Sequence, residues 1–277
     1  MYTIGMGLFE TQSIEINQDQ LAKWNVLFAI PCYDQQISEP TMMSLIKTLM
    51  YFRDHSMKFA VATITDSLIN RARNNMSAKF MGNEQFTHMM FIDADISWEP
   101  EDIIKLLWHD KEVMTVAYPI KSIDWEKVAK NVKDGVAVEE LAAKSVRFVV
   151  NPVKDQTTLN VENGAIEIFD AGTGFMLIKR ETFLKLIEAH PELKYDDDTG
   201  SLAKNEKPWT YAFFNSYIDA HKNRFLSEDY GFCRYWQNIG GKVWVDPAIT
   251  LGHLGRMKYT GTMMSFIEEN AKIVDKS

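Results

Sequence analysis

The stretch HMMFIDADISWEPEDI, residues 88–103, decides how the chain is read. Four apolar residues, Met89 to Ile92, run straight into Asp93-Ala94-Asp95. A short apolar run bounded by polar residues reads as a buried strand. Carboxylates fit at the carboxyl end of such a strand, where open α/β sheets collect their ligands. Alternation along an extended backbone places Asp93 and Asp95 on one side. Two carboxylates held together repel unless a cation sits between them. Hard ions such as Mg²⁺ or Mn²⁺ take one or two carboxylates and complete their shell with substrate phosphates. The competing reading is turn chemistry at a strand end. Spacing does not separate the two, because a chain this long shows about one D-x-D by chance. A second one, Asp196 and Asp198 in YDDDTG, lies in a polar turn with no strand before it.

Outward from this stretch, strands alternate with helices. WNVLFAIPCYD (24–34) is an apolar run that breaks at Pro31 and reads as a buried strand ending in a loop. TMMSLIKTLMYF carries Met43, Ile46 and Met50 at helical spacing. KFAVATIT (58–65) is β-branched, and the helix after it lines up Ile69, Ala72, Met76 and Phe80. PEDIIKLLWH opens with Pro100 and two acids, a helix-start signature. EVMTVAYP (112–119) is a fourth strand. This alternation predicts a mostly parallel sheet covered on both faces. The second half is less regular. Residues 122–145 read as a helical insertion, GAIEIFDAGTGFMLIKR as two strands broken at Gly172-Thr173-Gly174, and YDDDTGSLAKNEKPW as a long loop or hairpin. SEDYGFCRYWQNIGG is a helix with Ser227 as N-cap and Gly240-Gly241 as its stop.

With 46% hydrophobic and 12% aromatic residues the chain can bury a sizeable core, which argues against disorder. A formal charge of −8 gives no general attraction to nucleic acid or anionic membranes. Lys121, Lys127, Lys130 and Lys133 still allow a local basic face. Cys32 and Cys233 have no metal spacing and form no disulfide framework, which fits a reducing compartment. The N-terminal residues lack a basic region and a long apolar core, and no apolar run approaches a spanning helix. The expectation is a cytoplasmic protein.

VLFAIPCYD, INRARNNMSAKF and MMFIDADI, in that order, resemble the GT-A fold glycosyltransferases, particularly the family-2-like enzymes. In these, a Pro-Tyr-Asn/Asp loop ends the first strand and a helix carrying Ala-Arg-Asn, here Ala72-Arg73-Asn74, precedes the D-x-D strand. DAGTGFMLIKRETF resembles the family's glycine-containing segment beside donor sugar and acceptor. FLSEDYGFCRYWQNIGGKVWVDP resembles its Glu-Asp helix and the strand that follows, and LGHLG supplies a late histidine. The resemblance spans residues 24–255. Small glycosyltransferases of bacteriophages and large viruses are similar more loosely, which would put a phage-encoded chain in the host cytoplasm.

The resemblance implies a GT-A type, Rossmann-like mostly parallel sheet flanked by helices, with an elaborated C-terminal acceptor half. Residues 1–23 would be an extension, and 24–255 a single catalytic domain. Its nucleotide-sugar half would be 24–120 and its acceptor half 121–255. Residues 256–277 would be a tail, a lid or an oligomer contact. Asp93 and Asp95 would hold Mn²⁺ (or Mg²⁺) on the diphosphate of a nucleotide-sugar donor, a UDP-sugar by preference. His253 would be a third ligand, since imidazole suits Mn²⁺. Pro31, Tyr33, Asp34, Asp66, Arg73 and Asp93 would border the nucleotide, with Arg71 an alternative to Arg73. Gly172, Thr173 and Gly174 would lie against sugar and acceptor. Asp229 would act as general base in an inverting enzyme and Glu228 would orient the acceptor. In a retaining enzyme the pair would only bind sugar hydroxyls. The acceptor would be a glycan, a protein side chain, a lipid-linked sugar or a hydroxymethylated DNA base, the missing membrane anchor weighing against the lipid. The alternatives are a nucleotidyltransferase, for which AIPCYDQQ lacks the Gly-rich basic loop, and a non-catalytic sugar- or nucleotide-binding module. Trp209, Tyr211, Phe213 and Phe214 form an aromatic run suited to a sugar platform, a core or a lid.

Overall fold

The structure, a computed structural model, describes residues 17–152, 159–219, 223–257 and 263. Most of the tail at 256–277 and the first sixteen residues of the expected extension lie outside the described residues. The first half holds α1 (Gln18–Leu21), β1 (Asn25–Pro31), α2 (Glu39–Asp54), β2 (Lys58–Ile64), α3 (Ile69–Met81), β3 (His88–Ile92), β4 (Ile96–Ser97), α4 (Pro100–Trp108) and β5 (Val113–Thr115). The middle holds β6 (Pro119–Ile123), α5 (Trp125–Lys133), α6 (Val138–Lys144), β7 (Val146–Phe148), β8 (Val150–Pro152) and β9 (Val161–Glu162). Then come β10 (Ala165–Ala171), β11 (Phe175–Lys179), α7 (Arg180–Ala189), β12 (Tyr217–Asp219), β13 (Arg224–Leu226), α8 (Glu228–Asn238), β14 (Val243–Val245) and β15 (Gly252–His253).

The main sheet runs β2-β1-β3-β11-β5-β14-β10-β8, with β9 on β10. β1, β2 and β3 are mutually parallel, as are β5 and β14. β10 and β11 run against all their neighbours, so the sheet is mixed around a parallel core. Its two faces carry two apolar clusters. One holds Phe28, Ile30, Met90, Ile92 and Leu177 under α2 and α4. The other holds Leu27, Met89, Phe91, Met176 and Ile178 under α3, α7 and α8. The alternating side chains of each central strand thus feed both clusters. Leu21 joins the first cluster, so α1 packs with the domain. The aromatic run is core at its end: Phe213 and Phe214 are fully buried, and Phe214 stacks on Phe232 at 4.7 Å.

The caps follow the sequence. Glu99 and Asp102 form a capping box at α4. Gly240, at φ +89°, takes the left-handed position that ends α8. One helix faces the other way from its apolar spacing. Met43, Ile46 and Met50 of α2 are 42–50% exposed, whereas Thr41, Ser44, Thr48 and Phe52 are buried. The reason is Trp98, just beyond β4. Its backbone N–H donates to Ser44 Oγ (3.0 Å) and its indole N–H to Thr48 Oγ1 (2.9 Å). A polar seam, satisfied on both sides, locks the helix in that rotation.

Candidate active site at the carboxyl edge of the sheet

Because β1, β2 and β3 are parallel, their carboxyl ends (Pro31, Ile64 and Ile92) lie along one edge. Asp93-Ala94-Asp95 turns there between β3 and β4, with the Ile96 N–H on the Asp93 carbonyl (3.2 Å). The chain is no longer extended at the acidic pair. Strand alternation therefore does not set its side chains, and the two carboxylates engage different partners. Three distant segments pin the turn, each through one 2.8 Å backbone bond. Asp93 N–H donates to the Gly174 carbonyl, Ser38 N–H to the Ala94 carbonyl, and Leu254 N–H to the Asp95 carbonyl.

β15 pairs antiparallel with β4 and brings His253 opposite Ile96, beside Asp95. His253 Nδ1 lies 2.7 Å from the Pro119 carbonyl oxygen. A carbonyl only accepts, so Nδ1 carries a hydrogen, and Nε2 is the ring nitrogen left to face Asp95. Nε2 stands 3.3 Å from Asp95 Oδ1. A proton or a metal ion shared between the two atoms makes that contact favourable. Lys121 pairs with the other oxygen, Asp95 Oδ2. Burial pushes the Asp95 carboxyl up, but hydrogen bonds from His253 and Lys121 outweigh it and hold the group below its ordinary range. Among the described residues no three His, Cys, Asp or Glu side chains converge as a metal cage. Asp95 and His253 are the two side chains here that could hold such an ion, which normally keeps several of its waters. Asp93, the other expected ligand, has Oδ1 on Arg73 and Oδ2 beside Gly174.

Arg73, 4% exposed on α3, donates from Nη2 to Asp93 (3.0 Å) and from Nε to Glu228 (3.4 Å). Burial opposes its charge, but the two carboxylates outweigh this and keep the guanidinium protonated. It joins the β3 turn to the start of α8. Asp229, next to Glu228, accepts from Ser227 Oγ and from the Tyr230 N–H (2.8 Å). Ser227 thus spends its hydroxyl on Asp229 and makes no side-chain cap bond to the helix backbone. Burial and then the Glu228 charge raise the Asp229 pKa, against smaller lowering by Ser227, Tyr230 and Arg73. An ionised carboxylate made reluctant in this way is a better proton acceptor.

Two residues of the site were not singled out from sequence for it. Tyr118 lies beyond β5, at the same edge as Asp93. Its hydroxyl accepts the Gly174 N–H (3.3 Å), and its ring meets His253 edge-on with centroids 5.2 Å apart. Burial, then Asp93 and Asp229, push its pKa far upward, so it stays a neutral hydroxyl. The strand-end rule that marked Asp93 also marks Tyr118. Lys121 was one of four lysines in a basic run, and spacing gave no sign of its carboxylate partner. The glycines make room for these groups. A Cβ at Gly172 would collide with Tyr118, and one at Gly174 would lie 2.7 Å from Asp93 Oδ2. Arg73 Nη1 and Thr173 Oγ1 are buried without a hydrogen-bond partner among the described residues, an unusual state for polar atoms inside a fold.

The first loop is open, with Tyr33 71% exposed and Asp34 also exposed next to buried Pro31. Asp66, beyond β2, accepts both Nε and Nη2 of Arg71 at 2.7 Å, as well as the Leu68 N–H. Arg71 is therefore the partner of Asp66, and Arg73 the partner of Asp93. Asp196 and Asp198 are exposed, and Asp197 between them accepts from Thr199, which is turn chemistry.

The fold and site define an α/β protein with a mixed sheet, a parallel core and a cluster of charged side chains at the carboxyl edge. No protein-family model matches the chain, and no curated protein matches it. In structure it is similar to GT-A fold glycosyltransferases and to a nucleotidyltransferase. The A197 protein from STIV is 15% identical over 84% of this chain and 86% of its own, with a TM-score of 0.44. GalNAc-T7, in a crystal structure with UDP, GalNAc and Mn²⁺, is 13% identical over 85% of this chain and 44% of its own, also at 0.44. The 4-diphosphocytidyl-2C-methyl-D-erythritol synthase from Anaerococcus prevotii is 9% identical over 65% and 81%, at 0.33. Likenesses this distant assign no activity. Among the described residues no helix is long and apolar enough to cross a membrane.

Proposed function

We propose that the chain is a glycosyltransferase that moves a sugar from a nucleoside-diphosphate sugar, preferably a UDP-sugar, to an acceptor hydroxyl. Asp95 and His253 would hold a divalent ion, Mn²⁺ in preference to Mg²⁺ because of the imidazole. Bound there, it would neutralise charge on the departing diphosphate. Asp229 takes the proton of the acceptor hydroxyl as that oxygen attacks the anomeric carbon, which inverts configuration. Glu228 orients the acceptor while Arg73 braces it against Asp93. Tyr33 offers an open ring to the base, and Pro31, Asp34 and Asp66 border the nucleotide. The Gly172–Gly174 backbone and Thr173 lie toward sugar and acceptor.

The observation that carries this reading is the confrontation of His253 Nε2 with Asp95 Oδ1 at 3.3 Å, with Nδ1 committed to a carbonyl. The order of the GT-A-like segments and the raised pKa of Asp229 add to it. Titration calorimetry with UDP, with and without Mn²⁺, tests it. UDP binding should require Mn²⁺ and be lost in Asp95→Ala. UDP binding that is absent, or unchanged in that variant with metal present, refutes the reading.

A further inference from the structure

We infer that Lys121 is a donor-binding residue that competes with the divalent ion for Asp95 and passes to the diphosphate when the ion enters. The inference rests on the metal-site reading above.

The Lys121 ammonium is paired with Asp95, the carboxylate whose other oxygen faces His253 Nε2. It therefore occupies the same carboxylate that a dication would use. Both partners remain partly open to solvent, at 40% and 35%, so the pair can separate without breaking the core. Its placement is constrained. Lys121 lies on β6, two residues beyond Pro119, whose carbonyl orients His253. Its stem runs against Gly255, where an added Cβ would lie 3.0 Å from Lys121 Cβ and 3.1 Å from Cγ. The backbone on one side and the strand on the other keep the head near Asp95.

Charge sets the consequence. A dication on Asp95 repels the ammonium, which has three donors and needs an anion. The ion's remaining positions are filled by the donor's phosphates, so the nearest new anion is the diphosphate. Lys121 then weakens binding of the bare ion and strengthens binding of the diphosphate once the ion is present. The two ligands bind with positive coupling. An ordinary exposed ion pair, such as Lys47 on α2 with Glu99 at the N-cap of α4, has no such effect.

The test uses Lys121→Met and Asp95→Ala in the full chain. Electron paramagnetic resonance of Mn²⁺ gives affinity for the bare ion, and calorimetry gives UDP affinity at saturating Mn²⁺. Lys121→Met should bind Mn²⁺ alone about threefold to fivefold more tightly, the scale of a part-exposed ion pair. It should bind UDP with Mn²⁺ about tenfold more weakly, the scale of a charge-assisted hydrogen bond. If both affinities are unchanged while Asp95→Ala loses Mn²⁺, the inference fails and the metal site stands. If the wild-type chain binds no Mn²⁺, the metal site and the inference fail together.

Discussion

Asp229 is half-buried beside Glu228, and its charge is costly to the fold for the same reasons that suit it to accept a proton. Asp229→Asn should keep UDP binding and lose transfer by about 10²–10⁴-fold, the usual weight of a general base. Full transfer in that variant would remove Asp229 from the role. The direction of its pKa also fixes two pH effects. Activity should fall on the acid side through a value above the ordinary carboxylate range of about 3.9. The burial penalty is present above the raised folded pKa and vanishes below the unfolded one. Asp229→Asn should therefore melt higher than the wild type at neutral pH, with the gap closing as pH falls to that range. A lower melting point in the variant at pH 7 would contradict this.

The elements of this chain were legible where periodicity or a cap marks them. α4, α8 and the buried strands β1 and β3 stand where the pattern puts them. The direction of β10 and β11 was not legible, because the alternation of apolar residues is the same in either direction. The rotation of α2 was misleading for a different reason. The stripe of Met43, Ile46 and Met50 is apolar, yet Ser44 and Thr48 are the buried face because Trp98 supplies their partners. A distant partner also decided the site. Asp93 and Asp95 were found by position, but only the folded chain shows Arg73 on one and His253 with Lys121 on the other. The α2 seam can be measured. Thr48→Val keeps the shape and leaves the Trp98 indole N–H without its acceptor, which should cost about 1–3 kcal/mol. Met43→Lys should stay within about 0.5 kcal/mol. Urea unfolding of the two variants decides which face of α2 is structural, and equal losses would reverse the assignment.

Across the whole molecule, α4 is joined to the carboxyl end of β14 by a buried charge cluster that shares no side chain with the candidate site. Asp246 Oδ2 accepts from Lys105 Nζ and from His109 Nε2, each at 2.9 Å, and Oδ1 accepts the Ala248 N–H at 2.8 Å. All three side chains are nearly inaccessible. Burial pushes the Asp246 carboxyl up, but His109, Lys105 and the Ala248 amide outweigh it and hold it below its ordinary range. A depressed carboxylate contributes stability that is fully present above the unfolded pKa and lost as pH falls through the folded one. Asp246 is thus one source of acid sensitivity in the fold. Removing it strands a buried ammonium, so Asp246→Ala should cost about 3–5 kcal/mol in urea unfolding at pH 7. Adding Lys105→Met should recover most of that loss, since an apolar side chain of similar length needs no partner there. UDP affinity at saturating Mn²⁺, measured on folded protein, should be the same in the double variant as in wild type. If the double variant is no more stable than Asp246→Ala alone, the stranded charge is not what Asp246 prevents.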